Sequence, residues 1–440
     1  MLKARRCIVW FRQDLRMHDN EALDSAIGFA DEVVPVYVFD ERIFKGETSF
    51  GFPKTGVHRA QFIIEAVADL RASFQKLGIN LVVRVGKPEE EIFKLAKEIE
   101  SSWVFCNMER MDEERRVQAA LEQKLWTVGQ ELRFFRGKML YYTQDLPFPV
   151  AHTPEIFTTF RKEVERTVPV RQPLPAPTRM NAWTTRPSAG AMPTPATFGH
   201  DDNYKKHAKS VLPFEGGETA ALEHLGHYFW GTDLIKTYKE TRNGLLGADY
   251  SSKFSAALAQ GCLSPKRIYD ELKAYEAERG DNESTYWLFF ELLWRDFFRL
   301  MGKKYGNAMF KETGLLGKKT KKYTDNRAKF EQWANGTTGV PFVDANMREL
   351  RATGFMSNRG RQNVASYLVN DLQVNWLMGA EWFESMLVDY DVCSNYGNWN
   401  YIAGVGNDPR DNRYFNIEKQ ARTYDPQGAY QDVWLRKTKV

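Results

Sequence analysis

Eight prolines between residues 169 and 213 (Pro169, Pro173, Pro175, Pro177, Pro187, Pro193, Pro195 and Pro213) split this chain into two regions that fold by different rules. Proline fixes φ, removes a backbone donor and pushes the preceding residue to extended geometry, so no helix runs through such a stretch. Segments this long without regular structure are uncommon inside one domain. A chain of 440 residues also exceeds what one core usually holds. The expected division is a first domain over 1–140, a linker over 141–215 and a second domain over 216–440.

Before the linker, short apolar runs rich in β-branched residues recur at 7–11, 33–39, 81–85 and 103–107. Helical periodicity fills 21–30, 56–77 and 88–99 between them. This alternation predicts an α/β domain with a doubly wound, parallel, Rossmann-like sheet. No G-x-G-x-x-G follows the first strand, so the sheet carries no nicotinamide-dinucleotide fingerprint. Any ligand of the sheet belongs at the carboxyl ends of its strands. After Pro213 helical patterns cover 218–241, 265–279, 284–305, 345–352, 358–376 and 380–387, which predicts an all-α second domain.

The four cysteines, Cys7, Cys106, Cys262 and Cys393, form no C-x-x-C pair and read as reduced thiols, with no zinc site. The first residues run straight into a strand pattern without an apolar leader, and no apolar run reaches membrane-spanning length. A cytoplasmic monomer without a membrane partner is the expectation. Residues 301–370 carry 13 Lys and Arg against 5 Asp and Glu, a balance of +8 within a chain of net charge +4. A basic region in an otherwise slightly acidic protein suits a polyanion, and equally a solvated face. Twelve tryptophans and 14% aromatic residues leave rings to serve a cofactor or bases as well as a core.

Four stretches can carry chemistry. Asp249-Tyr-Ser-Ser-Lys-Phe-Ser255 places hydroxyls and an ammonium before a short helical pattern, a composition that suits a pyrophosphate and also an ordinary cap. Glu291, Trp294 and Arg295 share a helix face at i, i+3 and i+4, as a structural ion pair or as a pocket lining. Asp389, Asp391 and Asn395 lie among aromatic residues, and such fixed donors and acceptors can read the edge of a heteroaromatic ring. Arg359 and Arg361 flank Gly360 at a predicted helix start, where guanidinium forks suit carboxylate or phosphate.

The wording and order of these segments resemble the photolyase/cryptochrome family. They are Ile8-Val-Trp-Phe-Arg-Gln-Asp-Leu-Arg16, residues 251–255, Glu291-Leu-Leu-Trp-Arg295, Asn358-Arg359 and Asp389-x-Asp391-x3-Asn395-x3-Trp399. Gly354-Phe-Met-Ser-Asn-Arg-Gly-Arg-Gln-Asn363 and Cys393-Ser-Asn-Tyr-Gly-Asn-Trp-Asn-Tyr401 look like its DASH cryptochrome branch. The resemblance implies FAD in the helical domain. Tyr238, Ser251, Ser252, Lys253, Phe254 and Ser255 would hold its phosphates and ribityl chain, and Arg295 would support it. Asp391 would bond the ring, Asn395 would face its N5, and Asp389 would pair with Arg361 beside it. Glu291, Trp294 and Asn358 match the lesion pocket for a pyrimidine dimer, and Arg359 would hold phosphates. Gln362 and Tyr401 stand where related duplex-specific enzymes carry Met and Trp, which implies a preference for single-stranded DNA, with duplex DNA or RNA weaker. Trp399, Trp376 and Tyr323 match a photoreduction chain, with Tyr where Trp is usual at the third position. An antenna, most often methenyltetrahydrofolate, would sit between the domains with Glu109 as a contact. The implied activity is blue-light repair of cyclobutane pyrimidine dimers, with a signalling photoreceptor as the alternative.

Overall fold

The computed structural model describes residues 4–181, 183–184, 186–408 and 413–436. Five parallel strands form one sheet, β1 (Arg6–Phe11), β2 (Glu32–Asp40), β3 (Val82–Gly86), β4 (Trp103–Asn107) and β5 (Glu131–Phe135), in the order β3-β2-β1-β4-β5. Four of these lie where the apolar runs predict them. β5 does not come from that reading. It is an edge strand, Glu-Leu-Arg-Phe-Phe, in which only Leu132 is fully buried, so its apolar signal is weak. The helix Asp112–Trp126, which precedes β5, opens on Asp-Glu-Glu-Arg-Arg and was equally silent to a search for apolar periodicity. The strand order reverses across β1 and β4, which places a crevice outside the carboxyl ends of these strands.

The linker carries the α-helix Phe157–Thr167 and short turns of 3-10 helix at Val150–His152 and Pro195–Phe198, and its proline-rich part runs along the sheet. Val83 N–H donates to Ala189 O at 2.8 Å, and the Trp183 indole N–H donates to Val33 O at 2.7 Å. Gly190 has φ +72°, and a Cβ there would sit 2.0 Å from Val83 O, so only glycine lets the linker press onto β3.

Residues 216 onward are helical, with no strand among the described residues and one isolated bridge, Thr324–Val374. Two of the expected continuous helices are interrupted. The 218–241 pattern ends its α-helix at Gly226, passes through a wide turn at His227–Gly231 and restarts after Asp233, whose φ is +57°. The 358–376 pattern breaks after Ser366, and Gln373 at φ +53° turns the chain before Asn375 caps the Trp376–Met386 helix. In both places apolar periodicity continues across a left-handed residue that an α-helix cannot contain.

The loop after β1 fastens the two halves together. Arg16 donates to Gly261 O at 2.9 Å and to Gly137 O at 2.8 Å, Asp19 pairs with Lys266 at 2.6 Å, and His18 meets Glu218. Asp296, on the long Glu283–Tyr305 helix, accepts from Leu140 N–H at 3.1 Å and Tyr141 N–H at 2.9 Å. All four cysteines are free and buried. No described helix is long and apolar enough to cross a membrane.

Candidate functional site

Two cavities bear on function, the larger where the halves meet and the smaller within the helical half. The larger, about 720 Å³, opens at the carboxyl ends of β1 and β2 and takes its other wall from the helical half. Trp10, Arg12, Asp40, Glu113 and Glu114 line it on one side, and Phe310, Glu381, Glu384, Tyr390 and Tyr396 on the other. The smaller, about 110 Å³, is lined by Asn358, Arg361, Gln362, Asp389, Asp391, Asn395 and Trp399 among others. Tyr390 belongs to both walls.

The smaller cavity gathers residues from three successive helices, Asn358–Ser366, Trp376–Met386 and Val392–Ala403, and from the loop before the last. Asp391 caps the Val392–Ala403 helix, accepting from Ser394 N–H at 2.8 Å, and its other oxygen pairs with Arg299 at 2.8 Å. Burial pushes this carboxyl up, but Arg299 and Arg295 overcome that and hold its pKa far below the usual carboxylate range. Asn395 follows one turn later and donates to Ala380 O at 3.0 Å. Arg361 donates from one Nη to both oxygens of Asp389, at 3.0 and 2.8 Å, and from Nε to Met356 O at 2.9 Å. The result is a wall of fixed charge, amide and indole able to meet the edge and face of a flat heteroaromatic ring.

The hydroxyl loop lies outside this lining. Ser251 and Lys253 adopt left-handed φ of +58° and +52°, an alternation that turns backbone N–H groups toward a common anion. Ser252, Lys253 and Phe254 are buried, whereas Ser255 is exposed at the start of the short Ser255–Gln260 helix. Lys253 Nζ donates to Ala248 O at 2.7 Å and to Tyr250 O and lies 3.7 Å from the Tyr250 ring centroid, and burial pulls its pKa down to about 7. A buried ammonium short of counter-charge, on an anion-shaped backbone, fits a pyrophosphate; the carboxylate–amide wall fits a flavin ring. FAD binding is therefore expected to take up a proton near and above pH 7, as the phosphates raise the depressed Lys253 pKa, and affinity should fall as pH rises. Calorimetry in two buffers of different ionisation enthalpy measures this, and Lys253→Met should abolish the uptake.

Arg295 ties these parts together, donating to Lys138 O at 2.8 Å and to Leu258 O at 3.2 Å, with its pKa lowered to about 10 by burial. Beside it, Arg242 ion-pairs with Glu291, next to buried Tyr238, and its neighbour Asn243 accepts from Arg359 at 2.9 Å. Arg359 also donates to Gln362 Oε1 at 2.9 Å, so the Glu291 rim joins the smaller cavity. Burial raises the Glu291 pKa against the pull of Arg242. Trp294 and Tyr401 stand at 79° with centroids 5.9 Å apart. One face of Trp294 is already stacked on Phe157, at 3.7 Å and 10°.

Of the other predicted positions, Trp399 also lines the smaller cavity, whereas Trp376, Tyr323 and Glu109 do not. Trp399 packs on Phe383 at 5.2 Å and Trp333 at 6.4 Å, and Trp376 on Tyr396 at 6.4 Å. The Tyr323 hydroxyl donates to Ala403 O at 2.8 Å. Glu109 is not in the wall of the large cavity. It is buried and pairs with Lys138, because a carboxylate without water needs a counter-charge. Glu113 and Glu114, on the helix missed by periodicity, face the cavity instead. The run of acidic residues after β4 is the signal that could have marked them. Glu114 Oε2 and Arg12 Nη1 are buried without a hydrogen-bond partner, and burial with nearby Glu109 raises Glu114 to about 7.

Residues 7–178 match the family described as DNA photolyase, and residues 287–439 match the FAD binding domain of DNA photolyase. The sheet, the helical half and these matches define the class: the chain belongs to the photolyase/cryptochrome family of flavoproteins. Within it, the chain falls in the DASH cryptochrome branch. It is 51% identical over 434 residues to the Cryptochrome DASH of Gloeobacter violaceus, covering 99% of this chain and 86% of that one. It superposes on a Synechocystis cryptochrome crystal structure with a TM-score of 0.92 at 48% identity, covering 99% of this chain and 89% of that one. An archaeal photolyase from Sulfolobus tokodaii, described with two FAD molecules and a novel light-harvesting cofactor, matches with a TM-score of 0.79 at 26% identity, over 98% of this chain and 90% of that one.

Proposed function

We propose that this flavoprotein splits cyclobutane pyrimidine dimers under blue light, preferring single-stranded DNA. The observation that carries this is one small cavity whose wall joins Asp391 and Asn395 to Asn358 and Gln362, so groups suited to a flavin edge and groups suited to a base share one space. Reduced FAD supplies the electron that opens the cyclobutane ring. The chain's own residues do the rest. The left-handed turn at Ser251–Lys253, with Tyr238, Phe254 and the outer hydroxyl of Ser255, would hold the phosphates and ribityl chain. Arg295 fixes that loop's helix against the other half. Asp391, kept ionised by Arg299, would accept from the ring, Asn395 would face it, and the Arg361–Asp389 pair would close the side.

Glu291, ion-paired with Arg242 and with its pKa raised by burial, would hydrogen-bond the dimer. Trp294 would stack on an extruded base, Asn358 would read its edge, and Arg359 would hold phosphate. Gln362 gives this pocket a more polar lining than a duplex-specific one would have, and Tyr401 stands against Trp294 outside that lining. Flipping out of a duplex costs a few kcal/mol, which a single strand largely avoids. Trp399 and Trp376 relay electrons that reduce the flavin in light, and the resemblance places Tyr323 third. The 720 Å³ cleft is the place for an antenna such as methenyltetrahydrofolate, held by Glu113 and Glu114 rather than Glu109. The division at 1–140, 141–215 and 216–440, a monomeric state and a cytoplasmic location belong to the same proposal.

Purified protein loaded with reduced flavin is expected to remove dimers from an oligonucleotide only in light, and faster from the single strand in competition. Equal rates on both substrates would refute the pocket argument. Light-independent dimer levels would favour the signalling photoreceptor.

A further inference from the structure

We propose that a lysine strap at 316–323 holds the DNA backbone on the flank of the extruded dimer opposite Arg359. This second anchor presupposes the reading that the chain acts on single strands. Thirteen cations fall within 301–370, and four of them, Lys318, Lys319, Lys321 and Lys322, lie within five residues on a strap that holds no Asp or Glu. Elsewhere in that stretch Lys304 pairs with Glu155, Arg327 with Glu331 and Arg361 with Asp389, while Arg348 and Lys329 donate to backbone carbonyls. On the strap, Lys319 pairs with Glu312 and Lys321 donates to Asn370 Oδ1. Lys318 and Lys322 are exposed, without an ion pair or hydrogen bond among the described residues. Two cations therefore stand in solvent with their charge uncommitted, which suits a polyanion.

The strap is tied to the edge of the smaller cavity. Leu316 N–H donates to Val405 O at 3.0 Å, and the Thr320 and Tyr323 hydroxyls donate to Ala403 O at 3.1 and 2.8 Å. Ala403 follows Ile402, which lines that cavity together with Arg413. Lys321 meets Asn370 in the turn Tyr367–Asp371, which continues the Asn358–Ser366 helix. Arg359 stands at the opposite end of this helix. At the usual helical rise it is roughly 16 Å from Asn370 along the axis. Gln362 and Ala365, both in the cavity wall, lie between the two. One phosphate cannot bridge cations so far apart. With the cavity between them, Arg359 and the strap address phosphates on opposite sides of a nucleotide that enters it. Lysine suits this task, since a compact charge on a flexible stem follows a backbone without demanding one geometry. Such contacts position a strand and carry no base information.

Fluorescence anisotropy tests this with flavin-loaded protein and a labelled single strand, dimer-bearing or undamaged, over a range of salt. The Lys318→Ala/Lys322→Ala variant is expected to reduce the slope of log affinity against log salt by about 1.4, at about 0.7 per phosphate contact on a single strand. Over the decade from 1 M to 0.1 M salt this amounts to roughly 25-fold weaker binding, equal for both strands. Lys76→Ala/Lys97→Ala removes two exposed lysines from the sheet half and should keep the wild-type slope. Neutral methylphosphonate linkages locate the contact. On one flank of the dimer they should weaken wild type but cost the strap variant nothing more, and on the other flank they should cost Arg359→Ala nothing more. An unchanged slope in the strap variant, an equal drop in the Lys76/Lys97 variant, or neutral linkages that act alike on both flanks overturns the strap. Wild-type protein that binds no single strand overturns the single-strand reading itself.

Discussion

Asp391→Asn is expected to destabilise the folded protein by about 3–5 kcal/mol, the usual consequence of removing one partner of a buried ion pair. Arg299 would be left as a cation with only a few per cent of its side chain exposed, and its Nε already has no hydrogen-bond partner. Asparagine retains the helix cap, since it accepts from Ser394 N–H as aspartate does, so the loss isolates the charge. Asp391→Ala adds the lost cap, roughly 1 kcal/mol more. Chemical denaturation of flavin-free protein measures both variants without involving the cofactor. The sign with pH follows from the depressed pKa. This carboxylate contributes fully above its unfolded value of about 3.9 and loses its contribution only as pH falls toward the lower folded value. The stability gap between wild type and Asp391→Asn should thus be flat through neutral pH and close only in strong acid. A gap below about 1 kcal/mol at pH 7 would mean that the Arg299 pair is worth no more than a surface pair.

Trp294→Ala is expected to weaken binding of a dimer-bearing single strand by roughly 5- to 150-fold, the equivalent of about 1–3 kcal/mol for one stacked base. Binding of the same strand without a dimer should change little, because phosphate contacts rather than stacking carry that affinity. Fluorescence anisotropy at fixed salt compares the two. Phe157 makes the expectation sharper. It covers one face of Trp294 at 3.7 Å, so a base must take the other face or displace the Phe157–Thr167 helix. Phe157→Ala should therefore leave dimer affinity within a few-fold of wild type if the free face is used. Equal losses for damaged and undamaged strands in Trp294→Ala would remove the residue from the lesion pocket.

Much of this architecture was written locally. Three of the β-branched runs are β1, β2 and β4 because strands in the middle of the sheet are buried on both faces and must be apolar, and that leaves an unbroken signal; the fourth run is the edge strand β3. The 265–279 pattern is the Pro265–Arg279 helix because Ser264 caps it and Pro265 opens it. The edge strand β5 and the acidic helix before it were not legible, since each is anchored by few buried side chains. The site residues were named by the order of their motifs, but their roles depended on partners far away in sequence. Nothing near Glu109 announces that Lys138 neutralises it, and nothing near Trp294 announces Phe157.

Sequence alone determined the two-part plan, the parallel sheet, the helical second half and the identity of the residues that gather around the small cavity. These follow from periodicity, proline and motif order, which act over a few neighbouring residues. Tertiary structure alone decided that Ser251 and Lys253 take left-handed backbone, that Arg299 holds Asp391 ionised, and that Glu113 and Glu114 rather than Glu109 face the cleft. The physical reason is that a buried charge or phenol is defined by what surrounds it, and packing brings those surroundings from distant parts of the chain.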